Sequence, residues 1–412
     1  MVDVAQTTIP GYSPASVPND AKVVVVNQVE RYLIFLVKRL LQNNKFPKLF
    51  GEPFWKDGGT DRLPRRNKDY KISTVNSEVV DGFTGGLYWD GEHNRLYWLE
   101  MGYDDDPMSI VCYNPDTGVT FKATIGGKLR PLSMAIQVEG TQDMFLIGVG
   151  GALALIRWDC TSNRDINPVE VFHLENGKRF NDGKADSAGR LWAGTLKPGS
   201  SPRWYDYRFA SINKIDEGKQ LKRMFSRKEM MNGMEWSLDD NTIFFMDSWN
   251  HIIYKVNYDR KKDELGKSRW AWYTLYESTA ETPEYISGYG LTIDNEGQLW
   301  IPGNGLGTVF RINHEQLGPN PLVSLKAEEI TIPETMWPTS VCFGGKDLDI
   351  LFVTTARFDW TKILKNKKQN PNASTTDYPK SGYTFMITGL GVTGARPSRP
   401  VKIPDDMLKK CC

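Results

Sequence analysis

Polar and apolar positions along this chain alternate in a repeating unit. From about residue 80, a polar turn of Asp, Asn and Gly residues is followed by a short apolar run ending in small or polar residues. The copies are Asp90-Gly-Glu-His-Asn-Arg-Leu-Tyr-Trp-Leu-Glu100, Glu139-Gly-Thr-Gln-Asp-Met-Phe-Leu-Ile-Gly148, Asp186-Ser-Ala-Gly-Arg-Leu-Trp-Ala-Gly194, Asp239-Asp-Asn-Thr-Ile-Phe-Phe-Met-Asp247, Asp294-Asn-Glu-Gly-Gln-Leu-Trp-Ile-Pro302 and Gly344-Gly-Lys-Asp-Leu-Asp-Ile-Leu-Phe-Val-Thr354. Their first residues are separated by 49, 47, 53, 55 and 50 positions. A second apolar run follows several of them, as in Ser109-Ile-Val-Cys-Tyr-Asn114, His251-Ile-Ile-Tyr-Lys-Val256 and Thr308-Val-Phe-Arg-Ile312. Asn114-Pro-Asp-Thr-Gly118 then adds a hairpin turn. A period of about 40–50 residues with several short strands per unit predicts a β-propeller. Six copies predict an all-β chain of six blades. Such a ring leaves an axial funnel, the expected place for a ligand.

Outside the repeat the pattern changes. Residues 1–20 are rich in Thr, Pro and Ser and read as a flexible arm. In residues 22–42, Val26, Val29, Leu33, Leu36, Val37 and Leu40 fall at helical spacing and predict an amphipathic helix. Packing on the main domain is its simplest role. An oligomer contact or a membrane-surface helix is the alternative, and Val23–Val26 also reads as a strand. Residues 43–75 form a basic, irregular strap. The expected organisation is an extension over 1–77, a propeller over 78–395 and a tail over 396–412. Residues 362–382 read as a long polar loop in the last blade. Leu408-Lys-Lys-Cys-Cys412 resembles a double-lipidation signal, with a plain tail as the simpler expectation.

Composition narrows the function classes. At 40% hydrophobic and 25% charged, the chain can bury a large core. A formal net charge of +1 argues against a nucleic-acid partner bound through bulk charge. The cysteines Cys112, Cys160, Cys342, Cys411 and Cys412 lack metal spacing and read as reduced thiols. With no basic-then-apolar leader at the start, the expected location is cytoplasmic, and the sequon at Asn372 carries little weight. No uncharged apolar run reaches about 18 residues. His93, His173, His251 and His314 sit in no triad spacing, and no serine or cysteine occupies a nucleophile elbow.

One cluster stands apart from the repeat: Arg179, Asn181 and Asp182 crowd three polar side chains at a strand entrance. The segment Arg179-Phe-Asn-Asp-Gly-Lys-Ala-Asp-Ser-Ala-Gly-Arg190 is joined in order by Asn232-Gly-Met-Glu-Trp-Ser-Leu-Asp239, Gly290-Leu-Thr-Ile-Asp-Asn-Glu-Gly-Gln-Leu-Trp300, Cys342-Phe-Gly-Gly345 and Ile387-Thr-Gly-Leu-Gly-Val-Thr-Gly394. Together they resemble the regucalcin, gluconolactonase and luciferin-regenerating family over roughly residues 78–395. The resemblance implies a divalent cation, usually calcium, at the funnel floor, and hydrolysis of sugar lactones. It implies metal ligands from a Glu in Glu-x-Pro-x-Trp, an Asn in Asn-Gly-x-x-Trp-Ser, an Asp in Pro-Asp-Gly and, in related members, the Asn of Asn-Asp-Gly-Lys. An Arg of that last segment touches substrate.

Carried onto this chain, Asn181, Asn232 and Arg179 match. The Glu position, four residues before Trp89, holds Gly85, and the Asp position before Gly290 holds Tyr289. Gly51-Glu-Pro-Phe-Trp55 imitates the Glu motif with one residue missing, but no blade strand follows it, so Glu52 is set aside. Calcium takes about six to eight oxygen ligands, and its affinity depends on their charge. Two neutral amides do not make such a site. The expectation is a degenerate metal site and no cofactor, unless Asp182, Asp247, Glu235 or Glu100 supply relocated ligands. Strand-end acids more often cap turns. Trp89 and Trp236 read as core. Arg179, Asn181, Asn232, Tyr289, Asp182 and Asp247 are then expected to bind a small organic ligand without catalysis. A calcium-dependent lactonase or esterase with relocated ligands is the alternative.

Overall fold

A computed structural model describes residues 69–75, 79, 82–101, 107–127, 131–175, 177–198, 207–215, 221–228, 231–248, 252–272, 289–316, 327–357 and 378–410. The predicted helix at 22–42, Glu52, Asn372, most of the loop at 362–382 and Cys411–Cys412 lie outside the described residues. The described residues belong to a single unit, residues 61–412.

Six sheets form a six-bladed propeller. Blades one to five follow the chain, except that Arg164–Ile166, from within the span of blade two, adds a parallel outer strand to blade one, and blade six joins Lys71–Thr74 to the last three strands. The inner strands are Phe83–Asp90, Leu132–Gln137, Arg179–Ala185, Met231–Trp236, Thr292–Ile293 and Pro338–Gly344, in blades one to six. Each repeat of the sequence is the turn after an inner strand together with the second strand of that blade. These second strands run Arg95–Met101, Met144–Val149, Leu191–Pro198, Thr242–Asp247, Leu299–Gly303 and Ile350–Thr355. Each blade is packed on both faces by its neighbours, so second strands such as Met144–Val149 and Leu299–Gly303 are buried end to end. That is why they read as continuous apolar runs rather than alternating ones.

The repeat's leading Asp has a structural cause. Asp294 Oδ1 accepts the backbone N–H groups of Glu296 and Gln298 at 3.0 and 2.8 Å, closing the turn. Its Oδ2 accepts the Trp300 indole N–H at 2.9 Å, six residues on. Asp186 repeats this with Ala188, Arg190 and Trp192. The turns need a residue at positive φ, supplied by Gly189 at +79° and Gly297 at +78°. Tryptophans then wedge the blades together. Trp192 of blade three meets Trp236 and Tyr258 of blade four edge-on at 6.1 and 5.2 Å, and Trp89 of blade one stacks on Phe352 of blade six at 5.8 Å. Trp89 and Trp236 are each 1% exposed, as a core role requires.

Two devices close the ring. Strand Lys71–Thr74, ahead of residue 78 where the sequence reading starts the propeller, pairs with Thr384–Thr388 as the outer strand of blade six. Beyond it, residues 393–402 cross the end of the axis at which the repeat turns lie, and they bond to every blade. Gly394 N donates to Leu348 O (2.8 Å), Ala395 N to Ile293 O (3.1 Å), Ser398 N to Trp89 O (3.1 Å), Val401 N to Gln137 O (2.9 Å) and Lys402 N to Gly189 O (2.7 Å). Arg396 supplies the blade-four link through Ser237 O at 2.7 Å. Among the described residues the one α-helix is Asp405–Leu408, and no helix is long and apolar enough to cross a membrane.

Candidate functional site

At the opposite end of the axis the inner strands begin irregularly. The ladder to the second strand slips between Gly85 and Tyr88, Leu132 and Met134, Phe180 and Asp182, Met231 and Met234, and Pro338 and Ser340. A bulge takes residues out of the ladder and re-aims their side chains. Asn181 and Asn232, the two amides singled out by sequence, both fall in these gaps. Sequence spacing carries no sign of a bulge, because a bulge is a property of the pairing.

The structure brings the two amides together. Asn181 Nδ2 donates to Asn232 Oδ1 at 2.6 Å and to Met231 O at 2.8 Å. Asn232 Nδ2 donates to Ser248 Oγ at 2.6 Å. Arg179 lies alongside, its guanidinium donating to Asn181 Oδ1 at 3.4 Å and to Phe180 O at 3.2 Å. Both amide oxygens therefore already accept an N–H. Gly233 follows Asn232 for a steric reason. A Cβ there would stand 2.6 Å from Tyr289 O, and its own N–H donates to that oxygen at 2.9 Å. This close approach of blades four and five fixes Tyr289 beside the amides.

At the two positions that lack carboxylates the funnel has an aromatic wall, which the sequence reading missed. A Cβ on Gly85 would lie 3.2 Å from Phe83 Cε1, so the Phe83 ring covers that position. The same ring meets Tyr289 edge-on, with centroids 5.2 Å apart and planes at 69°. Asp247 sits at the end of the second strand of blade four, fully buried and in register with Met231. Among the described residues no group of three His, Cys, Asp or Glu side chains is placed to hold a metal ion. Tested against calcium chemistry, the donors at the family positions do not fit. The two carboxylate positions hold glycine and tyrosine, and each remaining amide oxygen is engaged by a cation or an amide.

Deeper along the axis lies a chamber of about 50 Å³, lined by all six inner strands and by the crossing segment. Lys184 spans it, donating to Glu235 Oε2 at 2.9 Å and to Leu291 O at 2.9 Å. Burial disfavours the Lys184 charge, but Glu235 more than offsets this and leaves its pKa raised. Glu235 is thereby committed to an ion pair. Asp182 lines the same chamber, and burial pushes its carboxyl up to about 6 from 3.8, against the opposing pull of Lys184 and the Gly183 N–H. A raised acid pKa means that the folded state takes up the proton more readily. Asp182 therefore costs stability as pH climbs from 3.8 through about 6. Asp182→Asn is expected to raise stability at pH 7 by about 1 kcal/mol, discounted from the full shift because the side chain is partly exposed. Melting curves of the two proteins from pH 7 down to pH 4 check this, and the difference between them should vanish at the acid end.

Six sheets around an axis, with polar side chains from neighbouring blades gathered at one end of it, define a six-bladed β-propeller with a polar cluster on its axis. The chain belongs to the SMP-30/Gluconolactonase/LRE-like family, whose pattern matches residues 83–357. Regucalcin of Danio rerio is 32% identical over 253 residues, covering 61% of this chain and 75% of that protein. Among solved structures, a luciferin-regenerating enzyme aligns with a TM-score of 0.65 at 24% identity, over 81% of this chain and 99% of that one. A regucalcin from Agrobacterium tumefaciens, described as a calcium-binding protein, aligns at 0.59 and 20% identity, over 81% and 97%. Both structures show the same fold.

Proposed function

We propose that this chain is a member of the family whose axial site has left calcium chemistry and holds a small organic ligand without hydrolysing it. The observation that carries this reading is the amide pair. Asn181 donates to Asn232 Oδ1, so a family metal-binding oxygen is spent on a neighbour that the two lost carboxylates no longer hold apart. The replaced positions support it. Phe83 and Tyr289 pack edge-on, and Tyr289 O bonds to the residue after Asn232; with Arg179 and the two amides they would suit a neutral or anionic organic molecule with an apolar side. Gluconolactonase-type hydrolysis in this family is expected to need a metal ion as Lewis acid and activator of water, and this donor set gives such an ion little purchase. Asp182 and Asp247 are assigned to the funnel surroundings rather than to a relocated metal site. Residues 22–42 are proposed as a contact between copies of the chain.

The test is metal content of the purified chain, followed by calcium titration of its melting temperature. No stoichiometric metal and no shift at millimolar calcium are expected. A ligand that binds only the folded state raises the melting temperature by mass action. A saturable calcium shift would therefore overturn the reading in favour of a lactonase with relocated ligands, and lactone hydrolysis would be assayed next.

A further inference from the structure

We propose that Cys112 and Cys160 are an oxidant-sensitive thiol pair whose disulfide fastens a loop of blade two onto blade one. The proposal does not depend on the funnel reading. Cys112 lies within strand Met108–Asn114, the third of blade one. Its ladder partner there is Tyr97, and opposed residues stand on one face of a sheet with Cβ atoms about 5 Å apart. Cys160 comes from blade two, in the bend that follows strand Ala152–Arg157. Its Sγ donates to Tyr97 Oη at 3.3 Å. The Cys112 thiol has hydrogen-bond contact with both Cys160 and Tyr97, so the two sulfurs meet beside one phenol. Cys112 and Cys160 are 1% and 6% exposed and belong to one apolar cluster.

Two further observations set this pair apart from a chance meeting of buried thiols. The backbone of Cys160 has φ +58°. That left-handed conformation is uncommon outside glycine, asparagine and aspartate, and residues held in it cluster at functional positions. The loop is also docked on blade one. Just beyond Cys160, Arg164–Ile166 runs parallel to Val119–Ile125 as the extra outer strand of that blade. Lys122 N donates to Asn163 Oδ1 at 2.8 Å and Gly126 N to Ile166 O at 2.9 Å. Phe121, next to Lys122, is the other ladder partner of Cys112. Strand pairing therefore holds Cys160 against the sheet that carries Cys112, while the bend leaves it outside any ladder and able to shift. Burial pushes the Cys112 thiol up, with Cys160 the next influence, so a thiolate is disfavoured there. A disulfide carries no charge and suits the same apolar surroundings. Cys342 differs, because its Sγ reaches Phe343 O at 3.4 Å and Ser398 Oγ at 3.8 Å.

The oxidant is a hydroperoxide. The Cys160 sulfur attacks one peroxide oxygen, the O–O bond breaks, and the thiol proton leaves with the departing oxygen. With hydrogen peroxide the products are water and a sulfenic acid on Cys160. The Cys112 sulfur then displaces the hydroxyl. The S–S bond forms, the S–O bond breaks, and the Cys112 proton leaves with the hydroxyl as a second water. The experiment incubates the reduced, folded full chain with hydrogen peroxide, blocks remaining thiols by alkylation under denaturing conditions, and maps tryptic peptides by mass. Residues 96–122 and 158–164, the peptides that hold Cys112 and Cys160, should appear joined, and a phosphine reductant should separate them. The oxidised chain should melt about 3–6 °C above the reduced one. Cys112→Ser and Cys160→Ser should each abolish that rise, whereas Cys342→Ser should keep it. The proposal is overturned if both thiols are alkylated after peroxide treatment, if they reach sulfinic or sulfonic acid unjoined, or if the joined peptide forms only in the unfolded chain. Should a serine variant fail to fold, the peptide map of the unaltered chain decides.

Discussion

Replacing Asp294 by alanine is expected to lower the melting temperature by on the order of 10 °C, the largest loss foreseen for any single side chain described above. Asp294 is fully buried, and its two oxygens accept four hydrogen bonds: from the N–H groups of Glu296 and Gln298, from the Trp300 indole, and from Arg311 Nε at 2.7 Å. Removing it opens the turn of blade five and strands an indole donor. It also takes one partner from an arginine whose side chain is 5% exposed. Breaking a buried charge pair from one side costs about 3–5 kcal/mol. Arg311 keeps Glu296 and Glu328 at 2.8 and 3.0 Å, which places the loss toward the lower part of that range. Asp294→Asn separates the contributions, since the amide oxygen can still close the turn while the charge is gone. It should fall between the parent and the alanine variant. Lys346→Ala is the control, because it removes an exposed ion pair with Asp116 and should leave the melting temperature within scatter. Thermal denaturation of the four proteins decides the point. An alanine variant that melts with the parent would remove the structural cause assigned to the repeat.

The same aspartate shows why the fold was readable from the chain alone. The repeat is written locally, because turn and second strand lie within a dozen residues, and the carboxylate that closes a turn and holds an indole recurs in blades three and five. The six copies fall on six turns and six second strands. The inner strands were harder to see. That of blade five is only Thr292–Ile293, and the others begin with bulges that depend on a partner strand. The candidate site was legible where it consists of motif residues, and the structure joins Asn181, Asn232 and Arg179 by hydrogen bonds. It was not legible where it depends on distance. Phe83 meets Tyr289 across half the length of the chain, and no spacing rule links two residues so far apart. The segment after residue 395 was read as a tail because Arg, Pro and Ser in no periodic order look irregular. Its order comes from bonds to residues scattered through blades one to four, while Ala395 and Gly394 just ahead of it hold blades five and six.

If the proposed function holds, the double substitution Gly85→Glu with Tyr289→Asp is expected to give a propeller that calcium stabilises more than it does the parent. It returns two anionic ligands beside Asn181 and Asn232, and carboxylate count sets calcium affinity more than any other single factor. Two obstacles can be stated in advance. The Phe83 ring must yield to a Cβ at 3.2 Å, which a side chain on a strand end can do by rotating. The Asn181–Asn232 hydrogen bond must also break so that an amide oxygen can face the ion, at a cost of about 1 kcal/mol. Without calcium, the added carboxylates repel one another and the variant should melt below the parent. With calcium at about a hundred times its dissociation constant, the stabilisation amounts to about 2.7 kcal/mol. That should raise the melting temperature by several degrees, while the parent does not move. Each single variant should respond weakly, because either carboxylate alone leaves the ion short of charge. A folded double variant that ignores calcium would mean that returning acids at positions 85 and 289 is not enough to build a calcium site here. The explanation would then have to come from the bulges that aim the amides rather than from the two lost acids.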